Sequence, residues 1–194
     1  MKQYQKDICV KRHVITKEWK TLWNILNLIS KDVKIFSIAC AEGFDLWMAN
    51  KRGHTNIKGL EFHKDKVVRG RKNLSLGSDI LHGDIFEKLG LIEKANCFIV
   101  SRFWHNISEE EAKVIMNKID EKRDYLIISK YKPGLLKENG VKRQPLATKK
   151  GLSNFFSLYD LVGKSFPQEF IVVGKGKYKD VPDMLREHIK GEGV

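Results

Sequence analysis

Apolar residues along the chain follow two periods that take turns. Trp19, Leu22, Trp23, Leu26 and Ile29 recur three or four apart or adjacent, which predicts a core-packing helix starting near Thr16. From Val33 onward, short apolar runs predict strands at Val33–Ala39, Asn56–Phe62, Asp79–Leu81, Asn96–Ser101 and Tyr125–Tyr131. None alternates strictly between apolar and polar, as expected for a sheet covered on both faces. Helical stretches lie between them at Phe44–Lys51, Lys64–Asn73, Phe86–Ile92 and Ser108–Lys122. Ser108-Glu109-Glu110-Glu111 has the spacing of a capping box. Strand and helix in alternation argue for an α/β fold with a doubly wound, mostly parallel sheet and helices on both faces.

The pattern changes after Tyr131. Residues 132–150 contain Pro133, Gly134, Gly140 and Pro145 and predict a long loop, of the kind that is usually functional or mobile. A helix is expected over Gly151–Val162 and a strand over Glu169–Gly174, with a partner strand near Leu161–Phe166 left open. Met184, Leu185 and Ile189 suggest a last short helix. No repeat or linker divides the chain. Residues 1–194 therefore read as one domain: a helical extension (1–32), a core (33–131), and a basic loop with C-terminal elements (132–194).

The composition, 42% hydrophobic, is ordinary for a globular protein. No apolar run approaches the ~20 residues that cross a bilayer, so no membrane partner is expected. The first residues, MKQYQKDICVKRH, are charged throughout and unlike a secretory signal. Cys9, Cys40 and Cys97 have no zinc spacing and read as reduced thiols of a cytoplasmic protein; no metal is expected. The net charge is +12, which invites a nucleic-acid or phosphate-bearing partner. Of the 36 basic residues only eight are arginine, the bidentate reader of bases, so sequence-specific readout is not favoured. Ser129–Lys150 gathers seven bases against one acid, Glu138.

In a doubly wound sheet, ligands bind beyond the carboxyl ends of the strands. The first strand ends there in Ala39-Cys40-Ala41-Glu42-Gly43, a turn of small residues opening a helix. Small residues let a ligand approach the backbone, and the helix start offers free N–H groups. One glycine suffices in this turn if only Gly43 needs a glycine conformation. Glu61 ends the second strand, placed to accept ribose hydroxyls. Glu61→Ala is expected to weaken ligand binding and to leave the folding midpoint almost unmoved. His82-Gly83-Asp84-Ile85 ends the third strand. Asp84 there suits an adenine amino group, or the N-cap of a helix at Phe86. Ser101-Arg102-Phe103-Trp104-His105-Asn106 ends the fourth. The GxGxxG of a dinucleotide oxidoreductase is absent, since the small positions read Ala39-x-Ala41-x-Gly43.

In this order and spacing the chain resembles the class I S-adenosylmethionine-dependent methyltransferases, from about Val33 to Tyr131 and more loosely to Gly174. That family typically reads LDLGCGTG at the first turn, where this chain has FSIACAEG. Its second strand ends in an acid, here Glu61, and Gly-Asp follows its third, here Gly83-Asp84. The resemblance implies a Rossmann-like fold and S-adenosylmethionine as cofactor. Ala39, Ala41, Glu42 and Gly43 would wrap the methionine part. Glu61 would hold the ribose and Asp84 with Ile85 would meet the adenine, with Phe62 and Ser101 also in the cofactor site. His105 would be the catalytic base, with Arg102, Phe103, Trp104, Lys142 and Arg143 toward the substrate. The chain departs from the family at Ser37, which replaces the first-strand acid, and at Ala39 and Ala41, which replace glycines. Glu42 and Asp45 are the nearby acids that could take that acid's place in holding the cofactor's amino group. The expected function is methyl transfer to a small molecule or to an anionic substrate such as RNA. The alternatives are a non-catalytic nucleotide- or RNA-binding module and an enzyme that cleaves S-adenosylmethionine. The oligomeric state is left open.

Overall fold

The structure is a computed structural model that describes residues 17–101, 103, 107–129 and 170–174. Helix α1 spans Lys17–Leu28. Strands β1 (Ile35–Ile38), β2 (Ile57–Glu61) and β3 (Ile80–His82) follow, separated by helices α2 (Phe44–Lys51) and α3 (Lys64–Asn73). Next come β4 (Cys97–Ser101), helix α4 (Glu109–Lys122), β5 (Tyr125–Ser129) and β6 (Phe170–Gly174). The sheet order is β3-β2-β1-β4-β5-β6. The first five strands in that order are parallel and β6 runs antiparallel against β5. The order reverses between β1 and β4, which opens a crevice beyond their carboxyl ends.

The two faces explain the missing alternation. Ile35, Ile57, Cys97, Ile99, Tyr125 and Ile127 point to one core, under α1, α2 and α3. Their neighbours Phe36, Ile38, Leu60, Phe98, Val100, Leu126 and Ile128 point to the other, under α4. Ile99 and Val100, adjacent in sequence and on opposite faces, are both 0% exposed. Each such side chain stabilises the fold by roughly 1.5–3 kcal/mol.

Helix α4 starts as its sequence dictates. The Ser108 hydroxyl accepts from Glu111 N–H at 3.2 Å and the Glu111 carboxylate accepts from Ser108 N–H at 2.7 Å. The helix expected at Phe86–Ile92 does not form. Asp84 accepts from Phe86 N–H at 2.9 Å in a turn, and a 3-10 helix follows at Leu89–Lys94. Gly90 interrupts the stretch, and glycine is among the poorest helix formers. The expectations for residues 1–16, 132–150, 151–166 and 184–189 lie outside the described residues. No described helix is long and apolar enough to cross a membrane.

Candidate functional site

The first turn leaves β1 and is tied at once to its neighbour: Cys40 N–H donates to the Leu60 carbonyl of β2 at 3.1 Å. Gly43 N–H then donates to the Cys40 carbonyl at 2.8 Å, closing the turn ahead of α2. Three of its five residues hold left-handed backbone angles: Ala39 (φ 54°), Ala41 (φ 52°) and Gly43 (φ 75°). The condition under which one glycine would suffice, that Gly43 alone holds such a conformation, is therefore not met. A non-glycine residue in this region costs roughly 1–2 kcal/mol, because its Cβ crowds the carbonyl oxygen. The two alanines keep a glycine path and bear that strain.

Glu61 braces the turn. One carboxylate oxygen accepts from Ala41 N–H at 2.8 Å and the other from His63 N–H at 2.9 Å. Lys66, in the first turn of α3, lies 3.9 Å from the same carboxylate. Glu61 is only 4% exposed. A buried carboxylate with two backbone partners holds structure as well as any ligand, so the folding midpoint must depend on it. That corrects the expectation that Glu61→Ala would leave the midpoint unmoved.

A second buried acid lies behind the turn. Asp45, in the first turn of α2, accepts from the Ser37 hydroxyl and from Leu46 N–H. Ser37 and Asp45 are 0% and 3% exposed. Ser37, where the resemblance would place an acid, thus donates its hydroxyl to a carboxylate eight residues later in α2. Glu42 turns the other way and accepts from Arg69 Nε at 2.9 Å. Burial pushes the Cys40 thiol well up, and the Asp45 and Glu61 carboxylates push it further. It stays protonated and is no nucleophile. Burial likewise raises the Cys97 thiol.

The remaining candidates are placed as follows. Phe62 is 64% exposed beside Glu61, its ring edge-on to His63. Asp84 is half-buried in its turn, and Ile85 is buried in the core under α4. Ala39, Ala41, Gly43, Glu61, Phe62 and Asp84 all belong to the carboxyl-end edge of β1, β2 and β3. Ser101 closes β4 in register with Ser129. Phe103 is 9% exposed and packs into the core with Ile107. Arg102, Trp104, His105, Lys142 and Arg143 lie outside the described residues.

Sequence reasoning missed Gly70. A Cβ there would stand 2.3 Å from the Glu42 carbonyl oxygen and 2.5 Å from Ile80 Cδ1. The bare backbone of α3 is what lets the first turn lie against it. A glycine inside a predicted helix was the available signal.

This architecture recurs among solved structures. Over 82% of its length the chain superposes on the methyltransferase domain of bacterial CtHen1-C, with a TM-score of 0.61 and 12% identity, covering 98% of that domain. Two larger proteins match similarly. The bifunctional kinase-methyltransferase WbdD gives a TM-score of 0.58 at 14% identity over 80% of this chain. An O-methyltransferase family protein from Burkholderia thailandensis gives 0.57 at 10% over 89%. The fold is that of the class I methyltransferases. The chain spans 39% of the WbdD chain and 58% of the Burkholderia one. No protein-family model and no curated protein matches the sequence. In this methyltransferase fold the strained turn and the two buried acids lie at the strand-end edge, beside the point where strand order reverses.

Proposed function

We propose that the protein binds S-adenosylmethionine at the strand-end edge and transfers its methyl group to an anionic substrate, an RNA or a phosphate- or carboxylate-bearing molecule. The observation that carries this reading is the turn itself. Ala39 and Ala41 hold left-handed angles at a cost, and Glu61 holds the turn in place. Strained backbone of this kind clusters at ligand-binding and active sites. Each Glu61 oxygen has one backbone donor and retains a lone pair, so the carboxylate can still accept ribose hydroxyls. Phe62 offers an exposed aromatic face to an adenine, Ile85 an apolar wall, and Asp84 an acceptor for the amino group. Ala39 to Gly43 would receive the methionine part, with Ser101 at the neighbouring strand end.

When bound, the cofactor supplies an activated methyl group on a sulfonium. The protein's part is to align the acceptor and exclude water. His105 takes the acceptor's proton where the acceptor carries one, and Trp104 with Arg102 and Phe103 positions the substrate. Lys142 and Arg143, in the basic stretch after β5, attract the anionic substrate.

Tritium-labelled S-adenosylmethionine incubated with the protein and a total RNA and metabolite extract tests this. Label transferred to an extract component, and lost in His105→Ala and Trp104→Ala variants that still bind S-adenosylhomocysteine, supports it. Binding without any transfer would leave the non-catalytic module. Release of cleaved cofactor without an acceptor would favour the cleaving enzyme.

A further inference from the structure

The opposite edge of the sheet has a feature that methyl transfer does not use. β3 is the edge strand, so the chain must cross back over β2 and β1 to reach β4. It does so with the 3-10 helix Leu89–Lys94 instead of a full α-helix. The start of the sheet is left partly uncovered on that face, and a cleft of about 60 Å³ opens there. Its apolar lining includes Phe36, Leu81 and Leu91. Its rim carries Lys34, Lys58, Lys94 and Asn56, all exposed, and no acid among the described residues lines it.

Lys58 shows that the opening is built into the sequence. It stands in register beside Phe36, which is itself beside Phe98, on the face where Leu60 is buried. A lysine at that sheet position is tolerable only where the crossover leaves it water. Lys58 is held by Asp79 at 3.0 Å and the Ser78 carbonyl at 3.4 Å. Lys34 and Lys94 have no side-chain hydrogen bond or ion pair among the described residues.

We propose that this cleft binds a small organic anion, with an apolar tail against Phe36, Leu81 and Leu91 and a carboxylate or phosphate head between Lys34 and Lys94. The volume, about 60 Å³, set against ~10–15 Å³ for one water-sized position, admits a tail of roughly four carbons. Lysine ammoniums on flexible stems recognise the head as point charges, so the site selects charge and tail size, not head geometry. It is separate from the cofactor edge and does not depend on the methyl-transfer reading.

Methyl NMR of the full chain tests it, with isovalerate (a four-carbon branched tail on a carboxylate) and its neutral isostere isovaleramide, each with and without S-adenosylhomocysteine. Isovalerate should shift the Leu81 and Leu91 methyls saturably. The amide should bind at least about tenfold more weakly, as loss of charge-assisted hydrogen bonds implies. Lys34→Met with Lys94→Met, whose remaining methyl spectrum reports an intact fold, should lose isovalerate affinity by a similar factor. Inorganic phosphate should bind weakly and leave the Leu methyls in place, because it has no tail. Equal binding of acid and amide, unchanged affinity in the lysine variant, or no saturable shift would overturn the proposal.

Discussion

Where β1 ends, three of five residues hold left-handed angles and the carboxylates of Asp45 and Glu61 are buried among them. Where β1 starts, Lys34, Asn56 and Lys94 stand in water over an apolar floor, with ordinary backbone angles. One edge combines strain with buried negative charge; the other combines an open cleft with exposed positive charge. The strained edge needs braces, and they come from distant parts of the chain: Glu61 from β2 and the bare backbone of Gly70 from α3. The lysine edge needs none, because solvated charges cost little to maintain. Substitutions at the first edge should therefore change folding, and lysine substitutions at the second should not.

The largest expected effect breaks the brace from α3. Gly70→Ala puts a methyl 2.3 Å from a backbone oxygen that no rotamer change can move. A loss of about 3 kcal/mol or more in urea denaturation is expected, from overpacking against rigid backbone. A loss below 1 kcal/mol would mean the turn is not pressed against α3. Next is Glu61→Ala, which strips two backbone N–H groups of a buried partner and should cost about 2–3 kcal/mol without ligand. Glu61→Gln, which keeps one acceptor, should recover part of it. By contrast, Lys34→Met with Lys94→Met should leave the urea midpoint in place.

Ala39→Gly and Ala41→Gly sharpen the comparison by relieving strain. Ala41→Gly should stabilise the fold by about 0.5–1 kcal/mol, the strain released less the entropy glycine adds to the unfolded chain. Ala39→Gly should gain less, because its methyl packs against the core under α4. Destabilisation by either would show that the alanine methyls do packing work that outweighs the strain. The smallest effect above zero belongs to the strand-start edge. His54, 0% exposed, donates from Nε2 to the Leu26 carbonyl at 2.7 Å, and its Nδ1 has no partner among the described residues. Burial, with the Lys31 ammonium 3.4 Å away, holds its pKa below the ordinary 6.5. The unfolded chain takes up this proton first. Stability should therefore begin to fall as pH drops below about 6.5 and level off below the folded value. A His54→Asn variant should lack that limb of the pH profile.

Much of the fold was legible because it rests on local signals. The stretches Phe44–Lys51 and Lys64–Asn73 form helices with those same bounds, and the capping box at Ser108 starts α4. The strands were visible as apolar runs because both faces are buried. Phe86–Ile92 misled because its apolar residues pack from a turn and a 3-10 helix, and apolar content alone does not fix helix type. The left-handed alanines were hidden for a different reason. Alanine disfavours that conformation, so only tertiary bracing by Glu61 reveals it. The Ser37–Asp45 pair was half legible: Asp45 stood out as a nearby acid that could replace the one missing from the strand, but the Ser37 hydroxyl that joins it to β1 did not.

The central claim is that this strained, doubly braced turn exists to hold S-adenosylmethionine. Isothermal titration of the full chain with S-adenosylhomocysteine, run beside NAD and ATP, tests it most directly. The account predicts saturable one-to-one binding of S-adenosylhomocysteine, weakened by about 1.5–3 kcal/mol in a Glu61→Gln variant that remains folded. No heat at millimolar S-adenosylhomocysteine, with clear binding of NAD or ATP, would contradict it.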